Sequence, residues 1–127
     1  MKLIYSTFLV FLLFSCSSDR DVDDCIEYSM AGVETAVPNL STDATGKTFD
    51  IAFRVTNGCG SFFKFEENTE ENVTTIKVIA KYEGCICTQN APLLETNYIF
   101  DQNIPGTYTL KFTTGNGTFI TDTVNIP

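Results

Sequence analysis

The 127-residue chain contains no histidine and no tryptophan, and sets only 8 lysines and arginines against 16 aspartates and glutamates. Without histidine there is no Ser-His-Asp or Cys-His arrangement, and the commonest general base is missing. The same absence removes imidazole from any metal-ligand set. The shortage of basic residues argues against nucleic acid as a partner. Arg54, Lys64, Lys77, Lys81 and Lys111 stand singly, and the formal net charge is −8. No glycine-rich loop precedes a helix, so nucleotide phosphates have no cradle. No apolar run approaches the roughly 20 residues that span a bilayer. No helical periodicity of useful length follows residue 15.

What is present begins with Lys2, an apolar run from Leu3 to Phe14, and the small Ser15. This is the layout of a secretory signal. Leu13-Phe14-Ser15-Cys16 resembles the lipobox of bacterial lipoproteins, although Phe14 is bulkier than the residue usual at its place. The resemblance implies that residues 1–15 are a cleaved helical signal segment and that Cys16 is acylated as the mature N-terminus. The lipid bilayer is then a partner through Cys16, because two or more acyl chains are needed for stable anchoring. Cleavage removes Lys2 and leaves residues 16–127 one unit more negative than the whole chain. That length suits one domain and not two.

Residues 16–24 read as an acidic disordered tether, since Ser17-Ser18-Asp19-Arg20-Asp21-Val22-Asp23-Asp24 has almost nothing to bury. Ser18-Asp19 with Asp21, Asp23 and Asp24 resembles the acidic export signal that places some Gram-negative lipoproteins on the outer face. Ser17 directly after Cys16 fits outer-membrane sorting. The implied place is the outer membrane, with the domain exposed at the cell surface or else facing the periplasm. The acids lack the glycine-hinged spacing of a calcium loop.

Residues 25–127 read as strands. Phe49, Ile51, Phe53 and Val55 alternate with Asp50, Ala52 and Arg54, the period-two pattern of a half-buried strand, and Asn57-Gly58 ends it. Ser61 to Phe65 reads as a short aromatic strand, and Glu66 to Asn72 as a solvated acidic loop. Val73 to Tyr82 places Ile76, Val78, Ala80 and Tyr82 inward. Leu93 to Phe100 carries Tyr98 and Phe100 on one side. Thr107 to Thr113 points Tyr108, Leu110 and Phe112 inward, and Gly115-Asn116-Gly117 leads to a closing strand in which Ile120, Val124 and Ile126 share a parity. Cys25 to Met30 and Val33 to Val37 are weaker strands, the second ended by Pro38. Seven to eight short strands with frequent turns make an all-β antiparallel sandwich.

Pro105-Gly106-Thr107-Tyr108-Thr109-Leu110-Lys111-Phe112 resembles the penultimate strand of bacterial immunoglobulin-like domains. The resemblance implies an immunoglobulin-like sandwich over residues 25–127, in which the Tyr108 hydroxyl pins a corner. The Cys…Trp…Cys hallmark of antibody domains is missing. A different β-sandwich or a small barrel is the alternative architecture.

Cys25, Cys59, Cys85 and Cys87 follow the signal, so an oxidising compartment and two disulfides are expected. Cys85 and Cys87 point the same way in an extended chain, which leaves each to find its partner in Cys25 or Cys59. The pairing stays open at this point. The competing reading is a thiolate site for Zn²⁺ or Cu⁺, or a redox pair. The methionines are only Met1 and Met30, and with no histidine the expectation is no metal and no cofactor. Of the carboxylates that could pair for glycoside chemistry, Glu66, Glu67, Glu70 and Glu71 cluster in one polar loop that reads as a solvated tip, and Asp50 and Glu95 fall on outward faces, so no enzyme is expected. Asp122-Thr123-Val124 resembles an O-glycosylation motif of exported Gram-negative proteins. Asn72-Val73-Thr74 and Asn116-Gly117-Thr118 match the N-linked pattern that bacterial lipoproteins do not normally use. The functional expectation is an outer-membrane-anchored, non-catalytic binding module for a protein or glycan partner. An inhibitor or accessory subunit of an envelope enzyme, or a thiolate metal-handling protein, are the alternatives.

Overall fold

The computed structural model describes residues 25–127. The expected signal over 1–15, the acylated Cys16 and the tether over 16–24 lie outside the described residues. Among the described residues the chain forms eight strands: β1 Ile26–Ala31, β2 Val33–Pro38, β3 Thr48–Arg54, β4 Gly60–Glu70, β5 Val73–Glu83, β6 Leu93–Ile99, β7 Gly106–Gly115 and β8 Thr118–Ile126. They make an all-β sandwich of two packed sheets. One sheet has three strands in the order β2-β3-β6; the other has five, with β4 pairing β5 beside the path β1-β5-β7-β8.

The two sheets meet through the predicted parities. Phe49, Ile51, Phe53 and Val55 from β3 and the residue after it are fully buried against Ile76, Val78, Leu110 and Phe112 of the larger sheet. Ala31 and Val33 join this core from β1 and β2, and Val124 and Ile126 from β8. Aromatic rings cross the interior as a connected chain, Phe53–Phe62–Phe65–Tyr98–Phe112–Phe49, with successive centroids 4.9 to 6.0 Å apart. Each such pair adds roughly 0.5–1.5 kcal/mol to the burial of its area.

The organising strand is β5. One of its edges pairs along its whole length with β4, from Gly60 opposite Tyr82 to Glu70 opposite Val73. The other edge is shared: β1 takes Val78 to Glu83 antiparallel, and β7 takes Val73 to Ile76. The β5–β7 pairing is parallel, so the expectation of wholly antiparallel sheets is corrected at this seam. Here β7 runs in the same direction as β5, beside the first residues of β5 where the β4–β5 hairpin turns.

Two other expectations are corrected. The short strand over Ser61 to Phe65 is the first half of β4, and the acidic loop over Glu66 to Asn72 is mostly its second half. Only Glu71 and Asn72 form the connection, Glu71 at φ 56°. Composition favoured a loop, but the stretch continues the ladder to β5, from Glu66 opposite Lys77 to Glu70 opposite Val73, and Thr69 bonds Thr74 at 3.0 Å. The β7–β8 turn is as the sequence indicates. Asn116 and Gly117 both have positive φ, 54° and 74°, the requirement of a two-residue type I′ hairpin. The Tyr108 hydroxyl donates to the Ile104 carbonyl at 2.7 Å, pinning the corner into β7.

Candidate functional site

At the end of β5 the backbone turns through Gly84, at φ 141°, into Cys85-Ile86-Cys87. Cys85 bonds Cys25 at the start of β1, and Cys87 bonds Cys59 in the loop between β3 and β4. The Cα–Cα distances are 5.0 and 5.4 Å. Each of the two neighbouring cysteines thus finds a separate partner, and the pairing left open by the sequence is resolved. Backbone hydrogen bonds reinforce the loop: the Gly84 amide donates to the Cys25 carbonyl at 3.0 Å and the Gly58 amide to the Thr88 carbonyl at 2.9 Å. Gly58 permits that approach, since a Cβ there would meet Thr88 Oγ1 at 1.9 Å.

The far side of the same loop is held by Arg54. Its guanidinium donates to Glu34 Oε1 at 2.7 Å and Oε2 at 3.2 Å, and to the Ala91 carbonyl at 2.7 Å. The Val55 amide donates to the Pro92 carbonyl. The segment from Gly84 to Pro92 is therefore tied down at both ends. At its head, between the two disulfide-bonded cysteines, the Ile86 side chain is 95% exposed. A braced loop carrying an apolar side chain into solvent was not legible beforehand, because Cys-x-Cys does not say where its middle residue points.

A second feature lies on the outer face of the five-stranded sheet. Inward parity on β7 belongs to Tyr108, Leu110 and Phe112, so Thr113 belongs to the opposite face. There a groove of about 490 Å³ is lined by Met30, Glu66, Asn68, Lys77, Thr113 and Phe119, among others. Register explains the grouping: Glu66 pairs with Lys77, and Thr113 with Phe119. Phe119 is 44% exposed and carries the Lys111 ammonium 5.3 Å from its ring centroid. Thr113, by contrast, is only 6% exposed, and its Oγ1 has no hydrogen-bond partner among the described residues.

The acidic residues singled out in the sequence take different places in the fold. Glu67 is exposed and accepts a hydrogen bond from the buried Tyr98 hydroxyl. Burial first, and the Glu67 carboxylate second, push the Tyr98 phenol well above its ordinary range. Glu71 is in the turn, and Glu66 faces the outer groove. Asp50 accepts from the Asn39 amide, and Glu95 is an exposed residue of β6. Asp122 accepts from the Thr123 amide, and Thr123 is exposed on β8. Cys25, Cys59, Cys85 and Cys87 are all consumed in disulfides, so none is a free thiolate here. Among the described residues no helix is long and apolar enough to cross a membrane.

A family model described as the ORF11 beta-sandwich domain matches residues 39–126. No curated protein matches the chain, and no solved structure does. The matched residues begin directly after β2, so β1 and β2 are contributed by the sequence before them.

Proposed function

The chain belongs to the ORF11 β-sandwich domain family, and from that premise we propose a non-catalytic interaction module that engages a protein partner through the braced loop at Ile86. In this reading residues 1–15 are a lipoprotein signal, acylated Cys16 anchors the protein in the outer membrane, and the domain is displayed at the cell surface. The immunoglobulin-like resemblance of the strand at Tyr108 belongs to the same proposal.

The observation that carries it is the 95% exposure of Ile86 between two disulfides. An exposed aliphatic side chain in solvent is ordinary when isolated on a mobile surface. Here the loop's conformation is already fixed, so little conformational entropy remains to be lost on binding. A partner with an apolar pocket gains the burial of the side chain, about 1.5–3 kcal/mol for an aliphatic residue. Interfaces draw most of their affinity from a few such anchors set in polar surroundings.

The same geometry favours a second reading, an inhibitor of an envelope enzyme, because a rigid loop with a protruding side chain suits insertion into a cleft. A photo-crosslinking residue at position 86, installed in the full-length protein on cells, tests the main proposal against the same residue at Thr123. A discrete adduct at 86, absent at 123 and competed by the purified domain but not by its I86D variant, is the expected result. Equal labelling at both positions, or competition by I86D as strong as by the parent, would overturn it. Loss of an envelope hydrolase activity on adding the purified domain would select the inhibitor reading. Protease treatment of intact against permeabilised cells tests display: digestion only after permeabilisation places the domain inside.

A further inference from the structure

We propose that the groove on the outer face of the five-stranded sheet is a binding site for a neutral saccharide, separate from the braced loop. The first support is the chemistry of the lining. Met30 and Phe119 supply apolar surface, while Glu66, Asn68, Lys77 and Thr113 supply amide, hydroxyl and charged groups around it. That mixture suits a ligand with an apolar face and a rim of hydroxyls. A pyranose has both, its C–H face resting on an aromatic ring and its hydroxyls exchanging hydrogen bonds with short polar side chains. A chain of net charge −8 repels a polyanion.

The second support is Thr113. A buried hydroxyl without a partner normally costs about 1–3 kcal/mol. Such groups are rare in folded proteins and call for a reason. Thr113 stands on the groove side of β7, directly across from Phe119. Met30 lines the same groove and is the most adaptable of apolar side chains. A ligand that displaces a lining side chain brings a hydroxyl to Thr113 at the floor, with Phe119 as the stacking platform. Ligand sites generally combine apolar surface with a few convergent polar groups in this way.

A third feature makes the platform available. Phe119 lies immediately past the type I′ turn, on the parity opposite to Ile120, Val124 and Ile126, so it contributes nothing to the sandwich core. With Lys111 beside it, its ring is held on the surface.

The test uses the isotopically labelled disulfide-bonded domain, residues 16–127, titrated by NMR with glucose, galactose, mannose, N-acetylglucosamine and their β-linked disaccharides. Saturable shifts centred on Met30, Thr113, Asn116 and Phe119, with a dissociation constant on the order of 1 mM or tighter, are the expected result. F119A should weaken binding at least about tenfold. T113V should retain or raise the melting temperature, since it replaces an unpaired buried hydroxyl by a methyl group, yet weaken binding about three- to tenfold. No shift with any sugar of the panel, shifts centred elsewhere, or T113V binding as well as the parent would each overturn the proposal. Shifts produced instead by unrelated apolar or acidic peptides would assign the groove to a peptide and overturn it equally. The braced loop takes no part, so I86D must leave every one of these titrations unchanged.

Discussion

The Tyr108 hydroxyl donates to the Ile104 carbonyl four residues upstream, at 2.7 Å, while the ring packs on Phe100 with centroids 5.3 Å apart. One side chain thus ties the turn after β6 to the core and fixes where β7 begins. Replacing Tyr108 by Phe keeps the ring and removes the bond. Ile104 is itself exposed, so its carbonyl regains water. The expected loss is about 0.5–1.5 kcal/mol, read as a lower urea midpoint with unchanged slope.

Alkaline stability should depend on Tyr98. Burial and the Glu67 carboxylate both oppose a phenolate there, so the folded chain keeps a proton that the unfolded chain releases above about pH 10. The unfolded state then binds fewer protons, and stability falls as pH rises. The contribution is fully present below pH 10 and declines above it. Denaturation followed between about pH 9 and pH 11 should show a shallower decline for Y98F than for the parent. Equal slopes would mean that Tyr98 does not govern the alkaline limb.

Removal of either disulfide should be costly. The closures span 60 and 28 residues, and loop entropy gives roughly 3–4 kcal/mol for each alone. The double serine variants C25S/C85S and C59S/C87S, compared by chemical denaturation, should both be strongly destabilised. Because the two closed segments overlap, either bond shortens the loop that the other closes, so each double variant should lose less than that figure and the fourfold variant more than the sum of the two. Peptide mapping without reduction should recover the 25–85 and 59–87 links and no 25–87 link.

Gly32 should resist any side chain. A Cβ there would stand 2.3 Å from the Thr114 carbonyl oxygen, a backbone atom that cannot swing aside. G32A is expected to cost about 1–3 kcal/mol or more through displacement of the corner between β1 and β2. G117A carries no such clash, since nothing lies within 4 Å of its Cβ, and acts only through its φ of 74°. Thermal melts of the two variants should therefore separate crowding from backbone conformation.

The sandwich was legible because its core strands alternate in full view. Phe49 to Val55, Ile76 to Tyr82 and Tyr108 to Phe112 each place one parity in the interior, and the structure buries those residues. Asn116-Gly117 announced its hairpin for the same local reason: both residues accept positive φ. The second half of β4 was hidden because Glu67 and Thr69, which bond Tyr98 and Thr74, are polar and exposed and leave no hydrophobic period. The parallel seam of β5 with β7 depends on contacts between distant residues, which no local pattern records. The disulfides were expected, but their pairing rested on where the loop after β3 falls relative to β1. Thr113 was counted as a strand residue; only the neighbours across the fold reveal its hydroxyl as unpaired.

The bond between Cys25 and Cys85 also determines how the domain bears mechanical load. Tension arriving through the residues before Cys25 passes at once across the sulfur bridge to the end of β5. β1 lies inside the covalently closed segment, so its hydrogen bonds to β5 are bypassed and it cannot be peeled off like the end of a zip. The pull is delivered instead to the strand that both β4 and β7 flank. Tugging at the N-terminus therefore stresses the most heavily connected part of the molecule and spares its outermost strand.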